Sequence, residues 1–197
     1  VRPNESRHET VESPMKAILP LLATSLILSV ASPAQTCREV VRDSSGRVAQ
    51  TVETRKSGSG TTSVTRDASG RVIGNATSQT NGSFTKTDYR DASGRMTGSA
   101  TTNGRSSSGS SKTTYRDASG RVAGTADNSK GTGAGSRTQY RDASGRLTGS
   151  QTTSGSPSGS FSGTRRDASG RITGSNRGTG KCEGSAVSPV PPLSGGR

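Results

Sequence analysis

The chain has 197 residues, of which 24% are hydrophobic and 3% aromatic, and carries a formal net charge of +13. That balance of low hydrophobicity and high charge argues against an ordinary domain closed around one apolar core, and it leans toward disorder. Each ordered residue costs about 1–2 kcal/mol of backbone entropy, so any small folded unit in such a chain has to lean on its neighbours.

The first landmark is an address. From Met15 the sequence runs "MKAILPLLATSLILSVASPAQTC", with one Lys, an apolar stretch Ala17–Val30, and small residues at Ser32 and Ala34. This is the layout of a secretory signal peptide over 15–34, cleaved after Ala34. The stretch is short for a membrane anchor and is broken by Pro20, Thr24 and Ser25. The expected location is therefore periplasmic, cell-surface or extracellular, with the membrane met only through the transient signal. Residues 1–14 precede the signal and read as an over-extended gene start; a natural extension is the alternative. Arg2, Arg7 and Lys16 cancel Glu5, Glu9 and Glu12, so the whole +13 belongs to residues 35–197.

Residues 35–41 form a lead containing Cys37, and Cys182 follows the last repeat. In an oxidising compartment the two can form one disulfide around the repeats. Cross-linking between chains and two free thiols are the other outcomes. Residues 181–197, with "VSPVPPLSGGR", read as a Pro- and Gly-rich tail.

Between them, over 42–180, one phrase recurs six times. It opens at Arg42, Arg66, Arg90, Arg116, Arg141 and Arg166, at spacings of 24, 24, 26, 25 and 25. Each copy is Arg-Asp-Ala/Ser-Ser-Gly-Arg followed by Val48, Val72, Met96, Val122, Leu147 or Ile172. Two residues later stands Gly74, Gly98, Gly124, Gly149 or Gly174, with Gln50 in the first copy. A sustained period near 25 implies a repeat architecture. Asp first and Gly last suit a turn, so Asp67/Gly70, Asp91/Gly94, Asp117/Gly120, Asp142/Gly145 and Asp167/Gly170 are assigned as turn-forming pairs. The flanking runs, "TKTDYR" and "RMTGSATT", suit strands. The expectation is all-β: an elongated array of about six β-hairpins with low-complexity loops and tails.

Two registers fit each hairpin. A three-residue loop with a glycine bulge pairs Asp91 with Arg95, permits an ion pair there, and puts Arg90 on one face with Met96. A four-residue loop sets Tyr89 opposite Met96. The two send opposite faces inward. The Gly/Ser/Thr-rich segments between phrases read as loops or second turns, with Asn81-Gly82 a strong turn pair.

The phrase resembles the YD repeat of bacterial RHS-type proteins and of short exported bacterial proteins built from related units. Asp91, Gly94, Arg95 and Met96 fit that pattern, as do Asp117, Gly120, Arg121 and Val122. Here Arg stands just before Asp, and Tyr sits one place earlier or is replaced, as at Thr65 and Arg165. The resemblance covers roughly residues 40–175 and implies an extended β architecture in an exported protein.

Catalytic chemistry finds no set of groups. His8, the sole histidine, precedes the signal, so a Ser-His-Asp triad lacks its base after cleavage. Six equivalent Asp residues beside Arg point to turns and not to a carboxylate pair with divergent pKa values. One Asp per 25 residues is a poor calcium cage. "GTGAGS" at 131–136 reads as a linker. No enzyme activity, cofactor, metal or small-molecule substrate is expected.

The arginines are the better candidates. Arg66, Arg71, Arg90, Arg95, Arg116, Arg121, Arg141, Arg146, Arg166 and Arg171 recur regularly and could grip phosphate or carboxylate polymers. Their bland reading is neutralisation of Asp and protection of sheet edges. The expected function is a structural or adhesive role at the cell envelope with binding to an anionic glycan, lipopolysaccharide or nucleic acid. The alternative is a largely disordered secreted polycation.

Overall fold

The computed structural model describes residues 35–104, 109–131, 135–155 and 159–180. The expected signal peptide and gene-start extension, Cys182 and the expected tail lie outside the described residues. The described chain is all strand and turn: β1 (Gln35–Asp43), β2 (Val48–Ser57), β3 (Gly60–Asp67), β4 (Val72–Asn81), β5 (Phe84–Asp91), β6 (Met96–Asn103), β7 (Ser111–Asp117), β8 (Val122–Lys130), β9 (Ser136–Asp142), β10 (Leu147–Gly155), β11 (Ser160–Asp167) and β12 (Ile172–Thr179). Every strand pairs antiparallel with its sequence neighbours, and β1 pairs with β12, so the sheet closes into a barrel.

Closure corrects the expected elongated array. An open array leaves two unpaired edges, and pairing β1 with β12 removes both. The seam is built like four of the other five joints between hairpins, the β2–β3 joint having Gln50 in place of glycine. Gly74 stands opposite Asp91, Gly98 opposite Asp117, Gly124 opposite Asp142 and Gly149 opposite Asp167. At the seam Gly174 stands opposite Asp43 in the same way. The last unit thus meets the first as most units meet the next.

Residues 35–41 are not a lead but most of β1, which opens at Gln35, just past the expected cleavage point. The Gly/Ser/Thr-rich segments are largely strand as well: β6 runs through "SATTN" and β8 through "TADNSK". These sequences can form a barrel because small hydroxyl side chains pair across the strands that line its interior. Thr54 and Ser63 bond at 2.8 Å, Ser78 and Thr87 at 2.8 Å, and Thr102 and Thr113 at 2.8 Å. A buried hydroxyl that keeps a partner avoids most of its desolvation cost.

One apolar cluster packs in the interior around β6 to β8. Ala100, Tyr115 and Ala126 are buried together, with Tyr89 and Tyr140 packed against them. The register alternates large and small: Ala76 faces Tyr89, Ala100 faces Tyr115, and Ala126 faces Tyr140. Burial pushes the Tyr89 phenol up to about 12, with Tyr140 adding to the shift.

Cys37, Val41 and Val52 are also buried, on β1 and β2, and beside them the interior turns polar. Buried Asn176 donates to Glu39 at 2.8 Å, and Glu39 is itself buried. Burial raises the Glu39 carboxyl above its ordinary value, against the lowering effects of Asn176 and Arg165. Nε and Nη2 of Arg165 and Oδ1 of Asn176 are buried without a hydrogen-bond partner. The opposite face of the wall carries Arg38, Arg55, Lys86, Lys112 and Arg177, all exposed. A lipid-spanning barrel presents an apolar band there; this wall is built for water.

Candidate functional site: a rim of arginines

In an up-and-down barrel, alternate connections lie at opposite ends. The six phrases are the turns β1–β2, β3–β4, β5–β6, β7–β8, β9–β10 and β11–β12, so all six gather at one rim. The connections at the other end are Gly/Ser-rich, and the described chain ends, Gln35 and Gly180, lie at that end too.

Each phrase folds on itself. The Gly94 N–H donates to the Asp91 carbonyl at 3.1 Å, and the Asp91 N–H donates to the Arg95 carbonyl at 3.0 Å. Asp91 Oδ1 accepts the Ser93 N–H at 2.9 Å, the Ser93 hydroxyl at 2.6 Å and the Arg95 N–H at 3.0 Å. Gly94 sits at φ 84°, and the equivalent Gly46, Gly70, Gly120, Gly145 and Gly170 lie between 80° and 85°. An L side chain is strained there, and glycine is not. The register is the three-residue loop with a glycine bulge: Arg90 stands opposite Met96. A second bulge skips Thr97 and lets Tyr89 face Gly98. Bulges of this kind bend a strand and increase its twist, which favours closure.

The permitted Asp–Arg ion pair does not form. The carboxylate is satisfied by N–H groups and serine, and the two ion pairs among the described residues are Lys86–Asp88 and Arg141–Asp127. The two arginines of a phrase instead divide their roles. The first donates Nη1 to the carbonyl of the turn glycine, as Arg42, Arg66, Arg90, Arg116, Arg141 and Arg166 all do at 2.9–3.0 Å. It clamps the turn, and Arg141 also meets Asp127 through its Nε. The second, at Arg47, Arg71, Arg95, Arg121, Arg146 and Arg171, is exposed, and only its backbone N–H and carbonyl take part in the turn.

The candidate arginines are therefore brought together on a closed rim of twelve guanidinium groups against six turn carboxylates. Arg42 and Arg47 of the first copy belong to the same rim. Four of the turn carboxylates, Asp67, Asp91, Asp142 and Asp167, titrate below the ordinary carboxylate value. Hydrogen bonds from Ser69, Ser93, Ser144 and Ser169 are the largest cause of the lowered pKa values of Asp67, Asp91, Asp142 and Asp167.

From this rim a groove of ≈ 630 Å³ runs down the outer wall across the seam, lined by Arg38, Arg42 and Arg177 with Ser162, Thr164 and Ser175. Arg42 belongs to both rim and groove. Arg38 and Arg177 escaped the sequence reading because they lie outside the phrase, and only closure sets β1 beside β12. The polar group of Glu39, Arg165 and Asn176 was also missed. Its sequence trace is a departure from the middle copies: Arg165 stands where Tyr89, Tyr115 and Tyr140 do, and Asn176 where Ala76, Ala100 and Ala126 do.

Comparison with protein-family models, with curated proteins and with solved structures yields no match to this chain.

Proposed function

We propose that the protein is an exported, non-enzymatic barrel that attaches to anionic surfaces or polymers of the cell envelope through its arginine rim. The observation that supports this reading is the division of labour within each phrase. One arginine is spent on the turn; its partner stands exposed with its side chain uncommitted, and the pattern repeats six times around a circle. Structure alone needs only the first. A ring of guanidinium groups engages many phosphates or carboxylates at once, so weak single contacts add up by multivalency. The groove of Arg38, Arg42 and Arg177 extends the same chemistry along the wall.

The two classes of arginine provide the test. Arg71→Ser, Arg95→Ser, Arg121→Ser and Arg146→Ser together are expected to lower the salt concentration at which residues 35–197 elute from heparin, with thermal stability unchanged. Arg66→Ser and Arg90→Ser are expected to lower stability through loss of the clamp. Unchanged heparin retention in the first variant would overturn the role given to the rim.

A further inference from the structure

The groove at the seam is the most one-sided patch of the outer wall. Across β10, β11, β12 and β1 the acids are the turn aspartates Asp167 and Asp43 and Glu39, which is buried inside the barrel. The ion pairs of the wall lie outside this sector: Lys86 with Asp88 at 3.6 Å and Arg141 with Asp127 at 3.8 Å. In the groove the Arg38 and Arg177 side chains have no hydrogen bond or ion pair among the described residues. Arg42 gives one Nη1 to the Gly46 carbonyl. Glu53 stands opposite Arg38 on the β2 side without an ion pair to it. Its carboxylate repels anions from that flank and leaves the approach over β12.

Register sets the spacing. Arg42 and Arg38 are four residues apart on β1, about 13 Å along the strand. Arg177 stands opposite Val40, midway between them and one strand over, about 5 Å to the side. The three arginines thus form a stepped row parallel to the strands, and Arg42 at its head belongs to the rim. Thr152, Thr164 and Ser175 line the groove beside the row, and their hydroxyls have no partner among the described residues. No acidic and no aromatic side chain lines it.

We propose that this groove holds a segment of a linear acidic polysaccharide. The inference rests on the anionic-polymer reading above and names the polymer's chemistry and the place that recognises it. A row of cations that runs on into the rim suits a chain longer than the groove; a compact anion needs a single guanidinium fork. The unspent hydroxyls separate a polysaccharide from other polyanions. A hydroxyl both donates and accepts. Sugar hydroxyls answer both capacities, whereas the oxygens of a polyphosphate only accept. Single-stranded nucleic acid is held on aromatic platforms as well as by cations, and the groove has none. Its volume, ≈ 630 Å³, falls within the range of about 300–1,000 Å³ that encloses a small ligand, room for a short run of sugars.

All twelve strands lie within residues 35–179, so residues 35–197 serve as the test protein. The probe is a heparin-derived tetrasaccharide, too short to circle the rim. Arg38→Gln with Arg177→Gln is expected to weaken its binding by about tenfold or more. The thermal midpoint is expected to stay unchanged, since neither side chain has a partner to lose. Unchanged tetrasaccharide affinity in this variant would overturn the groove as the site. The variant with Ser at Arg71, Arg95, Arg121 and Arg146 is expected to bind the tetrasaccharide as the native sequence does, while leaving long heparin at lower salt. Loss of the tetrasaccharide in that variant alone would move the site to the rim. Unchanged retention on long heparin is the failure of the rim and leaves the groove standing.

A second pair of substitutions tests the sugar. Thr164→Val with Ser175→Ala removes two hydroxyls and keeps the charge and nearly the shape. This variant is expected to bind the tetrasaccharide about threefold or more weakly, with a smaller effect on inorganic polyphosphate. Equal effects on the two probes would reduce the groove to a general anion track. Tighter binding of a single-stranded oligonucleotide of matched charge than of the tetrasaccharide by the native sequence would replace the polysaccharide with nucleic acid.

Discussion

At the scale of single residues, the two glycines that five of the six copies carry have different reasons to be glycine. Gly94 needs its backbone conformation: φ is 84°, and a Cβ there would meet nothing within 4 Å. Gly98 needs space: a Cβ would lie 2.5 Å from the Arg116 carbonyl oxygen of the next hairpin. Gly98→Ala must push two hairpins apart and is expected to cost about 1–3 kcal/mol. Gly94→Ala is expected to cost about 1–2 kcal/mol by backbone strain alone. Denaturant midpoints of the two variants check both values, and a neutral Gly98→Ala would show that the joint between hairpins is loose. The turn aspartates add a pH signature. The folded pKa values of Asp67, Asp91, Asp142 and Asp167 are lowered from 3.8, chiefly by hydrogen bonds to the turn serines. Their stabilising contribution is complete above the unfolded pKa and is lost as pH falls through the folded values. Thermal midpoints recorded downward from pH 5 are expected to decline below about pH 4. The decline is expected to be shallower with Asn at these four positions, because Asn keeps an acceptor and does not titrate. An identical acid limb would place the acid sensitivity elsewhere.

At the scale of the hairpin, local physics is legible and non-local physics is not. Asp, Gly and the flanking Arg set the turn through bonds spanning at most four residues. The turn therefore appears in six letters of sequence. The register did not, because it depends on the second bulge at Thr97, which the letters alone do not mark. Met96 was readable as apolar but not as outward-facing, since a shift of one residue exchanges the two faces of a strand. The joint between hairpins is non-local too. Gly98 faces Tyr89 in its own hairpin and Asp117 in the next, and the period alone says nothing of that second neighbour. The Thr- and Ser-rich stretches misled for a related reason. As isolated segments they resemble loops, and they become strands only when hydroxyls such as Thr102 and Thr113 find each other across the ladder.

At the scale of the whole molecule, the rim exists only because the sheet closes, and closure depends on β1 meeting β12. Those strands come from opposite ends of the sequence, so their pairing carries the largest loop-closure cost in the barrel. Cys37 lies buried on β1 at this seam. Arg38 pairs with Thr179, and a Cβ built on Gly180 would lie 3.0 Å from the Cys37 Cα. Cys182 follows two residues later, and two residues span at most about 7 Å, within reach of the Cα separations a disulfide uses. A Cys37–Cys182 bridge would close a loop of about 145 residues and, in the chain-entropy model, stabilise by about 5 kcal/mol. It would act at the one joint that chain connectivity does not hold. Protein oxidised at low concentration is therefore expected to be monomeric and two mass units lighter than its reduced form. Reduction, or Cys182→Ser, is expected to lower the unfolding midpoint substantially. A disulfide-linked dimer would assign the cysteines to contacts between chains. Two free thiols, or a midpoint indifferent to reduction, would mean that the repeated Gly174–Asp43 joint closes the barrel unaided.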